Sequence, residues 1–349
     1  MVPVLEAVPN FSEGRDLGVV RELVGAIEDE GAEILDWSAD PDHHRSVITF
    51  VGDPGTVEDA SVAAAHVAVE AIDLSRHQGV HPRVGALDVA PFVPLMGLEM
   101  RDAVRSSLRV ARRLAEEVGI PVYLYRESSR PPGRGLAELR RGGFEALRTG
   151  FPPEREPDLR PPAWGSRGAH PSAGVTCVGA RPLLLAWNVY VEGAELDDVR
   201  AIVARLRESG GGFAGLRALG LELPRRGKLQ ISMNLEELDR TSPFDVFTAI
   251  EERLRATGGR ITGTEVIGML PDALVLPAAA DRLQLVDSRS SGLLSARLAR
   301  HVGARASREA GAMVDAVRGA GRRLPEELLR AAERLEQGLS GTRSPGHEP

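Results

Sequence analysis

The chain has 349 residues and a mass of 37.4 kDa, enough for about two domains of ordinary size. With 42% hydrophobic and 27% charged residues, wholesale disorder is excluded. A net charge of −7 and a pI near 5.7 argue against a broad basic face for nucleic acid.

Val2 to Pro9 reads as a strand, and the spacing of Leu17, Val20, Leu23, Val24 and Ile27 predicts a helix stopped by Gly31. Strands are expected at Glu33 to Trp37 and Ser46 to Val51. Asp53 is placed to cap a helix that has Pro54 at its first position and reaches Ile72. A strand at Gly85 to Val93, a helix at Met100 to Val118 and a strand at Val122 to Tyr125 follow. The second half gives the same order: strand Leu183 to Val191, helix Glu195 to Glu208, strands Ala214 to Leu221 and Leu229 to Leu235, helix Pro243 to Thr257, strand Ile261 to Ile267. Two successive βαββαβ units predict an α/β (α+β) protein of two subdomains, each a sheet covered by helices, with a ligand cleft between them.

The expected boundaries are 1–180, 181–285 and an Arg/Ala-rich appendage at 286–349. The Pro-rich segment Phe151 to Ala173 is read as a linker between the halves or a functional loop. Residues 286–349 carry 11 Arg against 8 acidic residues, while the body before them stands at −10. That appendage reads as helical with a frayed end, a contact for self-association, and a homodimer is the expected assembly. Met1 to Phe11 lacks the pattern of a secretory signal, and no apolar run approaches the ~20 residues that span a bilayer, so a cytoplasmic protein is expected. The single Cys177 excludes intramolecular disulfides and Cys-rich zinc sites and is read as a small core hydrophobe.

Three polar clusters sit where strands end, which is where α/β sheets usually bind ligands. The densest is Ser75 to Gly85, with His77, His81, Arg76 and Arg83 beside Gly79 and Gly85. An imidazole held near guanidiniums is expected to stay neutral and serve as a general base. His77 and His81 have a zinc-like i, i+4 spacing, but Gly79 and Pro82 argue against the helix such a pair needs, so no metal is expected. The second cluster is Asp40 to Arg45, where Asp40 and Asp42 could meet an amidinium and Arg45 a carboxylate. The third is Pro9 to Arg15, with Asn10 and Glu13, where Ser12 is expected to cap the following helix. GxSxG, GxxxxGK[ST] and GxGxxG signatures do not occur.

Of the 43 basic residues only Lys228 is lysine. Codon bias explains such an excess of arginine, and so does selection for forked contacts to carboxylates. Composition leaves the two open.

These clusters, as VPNFSEGR (8–15), ILDW (34–37), HHRSVITFVG (43–52) and above all IDLSRHQGVHPRVGALDVAPFVPL (72–95), resemble the formiminotransferase family. PVYLYRES (121–128), LRRGGFEAL (139–147), GVTCVGARPLLLAWNVYV (174–191), QISMNLEELDRTS (230–242) and TEVIGMLPDALVLPAA (264–279) extend the likeness over roughly residues 1–285. The resemblance implies transfer of a formimidoyl group from N-formimidoyl-L-glutamate to N5 of tetrahydrofolate, the co-substrate, in histidine breakdown. It also implies that His81 is the catalytic histidine and that a folate-contact segment falls on His170, Pro171, Ser172 and Gly174. Arg45, Arg76 and Arg83 are the expected anion clamps. Departures are a long loop around Trp164 to Arg167 and a tail too short for the cyclodeaminase domain of the animal enzymes. A related enzyme using a formyl donor or 5-formyltetrahydrofolate, and a non-catalytic folate-binding regulator, stand as the alternatives.

Overall fold

Pro9 brings no N–H to a strand ladder, and the first strand is interrupted there into β1 (Leu5–Ala7) and β2 (Asn10–Phe11). The computed structural model describes residues 3–162, 164–165 and 168–269, with 303 and 311. The chain divides into two compact units, Val4–Leu270 and a second of Met1–Pro3 with Pro271–Pro349, and all elements below belong to the first. Apart from 303 and 311, the expected appendage at 286–349 lies outside the described residues.

Helix α1 (Leu17–Asp29) buries Val20, Leu23 and Ile27 and is capped by Asp16, whose carboxylate accepts from Gly18 N at 2.8 Å. The cap expected of Ser12 is therefore made by Asp16, and the Ser12 hydroxyl donates to Gly85 O at 2.7 Å. Strands β3 (Glu33–Asp40) and β4 (Arg45–Gly52) lead into α2 (Pro54–Ala71), capped by Asp53 with Pro54 at its first position. Strand β5 (Leu87–Pro94) completes an antiparallel array in the order β3, β4, β1/β2, β5.

Helix α3 (Met100–Arg113) runs on as a π-helical turn through Val118 and stops at Gly119, which sits at φ 81°. After β6 (Val122–Leu124), the short α4 (Leu136–Leu139) and the Pro-rich loop, the chain returns as β7 (Thr176–Ala180). This strand lies parallel to and between β5 and β6. The Pro-rich segment is thus a loop within the first half, not the joint between halves. TCVGA is short and buried on both faces, so it lacks the alternation by which a strand is read from sequence.

The second half comprises β8 (Leu185–Glu192), α5 (Leu196–Leu206), β9 (Leu216–Leu223), β10 (Lys228–Leu235), α6 (Pro243–Ala256) and β11 (Arg260–Ile267). Its sheet is antiparallel in the order β9, β10, β8, β11, which repeats the order β3, β4, β1/β2, β5 of the first half. In the first half Phe50, Ile48 and Phe92 are fully buried with residues of α1, α2 and α3, each such side chain contributing roughly 1.5–3 kcal/mol. In the second, Val189 and Ile231 of the sheet and Val199, Ile250 and Leu254 of α5 and α6 are buried completely. Cys177 lies in the core, where burial pushes its thiol up to about 12. Among the described residues no helix is long and apolar enough to cross a membrane.

Candidate active site

The three polar clusters meet at one end of the first sheet. Gly79 lies so close to the second cluster that a Cβ there would stand 2.2 Å from His43 O. Val80 N donates to Asp42 O at 3.1 Å. Arg15 fastens the same two loops, donating to Pro41 O at 3.0 Å and to Gln78 O at 2.6 Å.

His81 is half-buried in this junction. Its Nδ1 lies 2.8 Å from the Pro82 carbonyl, so Nδ1 carries the proton and Nε2 the lone pair. Burial, then the guanidiniums of Arg45 and Arg140, hold its pKa well below the usual imidazole range. The imidazolium is disfavoured here by burial and by the guanidiniums of Arg45 and Arg140, not by those of Arg76 and Arg83 as the sequence suggests. His43 stands beside it with ring centroids 5.7 Å apart, and its Nε2 donates to Gln230 Oε1 at 2.8 Å. Burial lowers the pKa of His43 too.

Beneath the two histidines is a buried ionic group. Asp88, wholly inaccessible, accepts from Arg45 at 2.7 Å, from Arg140, and from Val84 N at 2.8 Å. Burial works to raise its pKa, but the two guanidiniums outweigh it and the carboxyl stays below its ordinary range. Arg45 is brought down to about 10, chiefly by burial, and donates also to Asn10 Oδ1 at 2.9 and 3.1 Å. The expected open clamp at Arg45 is in fact fully occupied.

Glu13 and His77 form a second layer with His44. His44 and His77 stack at 4.2 Å, and His77 Nε2 donates to His44 O at 2.8 Å. Burial lowers His77 to about 4. Burial opposes ionisation of Glu13, yet hydrogen bonds from His44 and from the Asp16 and Arg15 N–H groups hold it at about 2. Arg83 forks onto Glu145 at 2.8 and 3.3 Å, whereas Arg76 is exposed.

The second half reaches this loop cluster through its β9–β10 hairpin. Asp40 accepts from Asp42 N and His43 N at 2.8 Å and from Arg226 at 2.7 Å. Asp42 accepts from Arg225 N at 2.8 Å. Arg226 also lies over the Tyr190 ring, 5.7 Å from its centroid. Both aspartates therefore shape the loop and tie it to the second half.

On the flank, Gly174 adopts φ +74° and packs so tightly that a Cβ would stand 2.0 Å from Val84 O. The turn from His170 is pinned by Ser172 O accepting from Leu74 N at 2.8 Å, and His170 Nδ1 accepts from Ala173 N at 3.0 Å. Trp164 stacks on His170 at 6.0 Å, beside a cavity of about 290 Å³ lined by Arg148, Trp164, Gly168, Ala169 and Pro171.

Residues 4–181 match the formiminotransferase domain, N-terminal subdomain, and residues 186–287 match the formiminotransferase domain. The chain belongs to the formiminotransferase family. It is 38% identical to a glutamate formimidoyltransferase of Streptococcus pyogenes serotype M1, over 82% of this chain and 95% of that one. To the glutamate formimidoyltransferase of Thermoplasma acidophilum it is 37% identical, over 81% of this chain and 93% of that one. To the formimidoyltransferase-cyclodeaminase of Sus scrofa it is 37% identical over 80% of this chain, spanning 52% of that protein.

Sequence reasoning missed five groups that complete the cluster around His81 and His43: Asp88, Arg140, Arg225, Arg226 and Gln230. Asp88 left a signal, since a carboxylate inside the apolar run Leu87 to Val93 must be paired when buried. Gln230, fully buried and 187 residues from His43, left none. Among the described residues, no cluster of three or more His, Cys, Asp or Glu side chains is arranged to hold a metal ion.

Proposed function

We propose that this formiminotransferase moves the formimidoyl group of N-formimidoyl-L-glutamate to N5 of tetrahydrofolate, with His81 as the proton carrier. What carries the reading is the state of His81: a neutral imidazole whose Nδ1 is committed to Pro82 O and whose Nε2 keeps its lone pair. N5 attacks the amidine carbon, and Nε2 takes the proton that N5 must shed as the C–N bond forms. The imidazolium then returns that proton to the glutamate nitrogen as its bond to the same carbon breaks, leaving free glutamate. One imidazole serves both directions because its depressed basicity makes the protonated form a ready donor.

The Trp164 and His170 rings and the pinned turn through Pro171, Ser172 and Gly174 offer a flat, partly apolar wall suited to the aromatic rings of a folate. Arg76, exposed beside this loop, is free to meet the outer carboxylates. Asn10, Glu13, Asp40, Asp42, Arg45 and Arg83 act by holding the loops that carry His81 and His43.

Purified protein given tetrahydrofolate and N-formimidoyl-L-glutamate is expected to form 5-formimidoyl-tetrahydrofolate, read by mass spectrometry. His81→Ala should abolish transfer and leave tetrahydrofolate binding nearly intact; undiminished turnover by that variant would overturn the assignment. Turnover with formylated donors alone would favour a formyl-donor enzyme. Folate binding without any turnover would favour a regulator.

A further inference from the structure

The buried ionic group beneath His81 is not neutral. Asp88 is inaccessible and the side chains of Arg45 and Arg140 are 9% and 12% exposed, so two guanidiniums share one carboxylate. Buried charges are ordinarily paired, and one positive charge here has no counterpart within the cluster. The hydrogen bonds say where it resides. Arg45 uses Nε and both terminal nitrogens on Asn10 and Asp88. Arg140 gives Asp88 one terminal nitrogen, and its buried Nε has no partner among the described residues. The surplus charge and the unused donors therefore coincide at Arg140.

We infer that Arg140 is a specificity-determining residue that receives the α-carboxylate of the glutamyl donor beside His81. This rests on the formimidoyl-transfer reading given above. Both substrates carry glutamate carboxylates, but only the donor's α-carboxylate is close to the reacting centre, on the carbon next to the nitrogen that departs. The carboxylates of folate lie beyond the p-aminobenzoyl group, far from N5. Nε–H and the second hydrogen of the terminal nitrogen that meets Asp88 share one edge of the guanidinium, the fork that a carboxylate accepts in two parallel bonds. The groups facing His81 are Arg45, Arg140, His43 and Asp88. A carboxylate docked on Arg140 cancels the excess positive charge among them, so His81 becomes a better base when the donor is in place.

The test compares Arg140→Gln and Arg140→Lys with the unaltered protein. Arg140→Lys keeps a charge for Asp88 but loses the fork, which preserves the fold should the glutamine variant be unstable. KM for N-formimidoyl-L-glutamate should rise about 10-fold to 100-fold while KM for tetrahydrofolate stays within about twofold, as expected for one charged, forked contact. Inhibition by N-acetyl-L-glutamate should weaken by the same factor. The α-carboxamide analogue of that inhibitor should bind the unaltered protein and both variants equally. An unchanged donor KM in a folded variant, or equal rises for both substrates, overturns the inference. Lack of turnover by the unaltered protein would overturn the transfer reading instead. Calorimetric binding of N-acetyl-L-glutamate that depends on Arg140 would then still support the anion site, and binding indifferent to Arg140 would refute it.

Discussion

Replacing Asp88 by Asn removes the one carboxylate that two buried guanidiniums share. The amide can still accept from Val84 N, now 2.8 Å from Asp88 Oδ1, so the turn after His81 keeps that bond. What is lost is the charge facing Arg45 at 2.7 Å and facing Arg140. Removing one partner of a buried pair costs about 3–5 kcal/mol, because the remaining charge stays desolvated. For a unit of this size each kcal/mol lowers the midpoint by about 2–4 °C, so the expected fall is roughly 6–20 °C. Scanning calorimetry and urea unfolding at pH 7 measure it, with the urea midpoint moving and the slope unchanged. The pH dependence has a definite sign. The native pKa of Asp88 lies below its unfolded value of 3.8, so its contribution is full above that value and is lost as pH falls below it. The gap between unaltered and Asp88→Asn proteins should therefore narrow in acid. A deficit under about 1 kcal/mol at pH 7, or one that widens as pH falls, would refute the account of the cluster.

His77→Phe keeps a buried ring but removes a group lowered to about 4 from its ordinary 6.5. As pH falls from 6.5 towards 4 the unaltered protein should lose about 3 kcal/mol more stability than the variant, since the other buried histidines titrate alike in both; urea midpoints of the two proteins at several pH values decide it. Gly174→Ala places a Cβ 2.0 Å from Val84 O at φ +74°, and should cost about 1–3 kcal/mol in the same assay. Arg226→Ala breaks a partly exposed pair with Asp40, so stability should change by less than about 1 kcal/mol. Its kcat/KM should nevertheless drop about tenfold or more, because the loop bearing His43 loses one of its ties to the second half and with it the fixed placement of that ring.

The element order was legible because both halves have strong periodicity and clear stops. Asp53 with Pro54, and the run at Gly210 to Gly212, mark ends whose local chemistry permits little else. β7 was not legible, since a five-residue strand buried on both faces shows no alternation. Of the site, the three loop clusters were visible as polar islands at strand ends, and the close packing of Gly79 on His43 shows why glycine stands there. The partners of those islands were hidden. Arg140 meets Asp88 across 52 residues, and only the fold brings them together. The arginine excess is partly resolved by this: Arg45, Arg83 and Arg140 make forked or shared contacts to carboxylates that lysine would not reproduce.

The return of the chain as β7 sets an order of assembly during synthesis. β5 and β6 do not pair with each other; each pairs with β7, so the first sheet is incomplete until Ala180 has left the ribosome. The second sheet then begins only at Leu185, and its four strands complete their ladders without borrowing from the first. A chain severed within residues 181–184 keeps every strand pair found among the described residues. One severed within 151–173 strips the first sheet of the strand that joins its two parts. The four-residue junction, rather than the long Pro-rich loop, is therefore where the two halves part cleanly, with His81 on one fragment and Gln230 and Arg226 on the other.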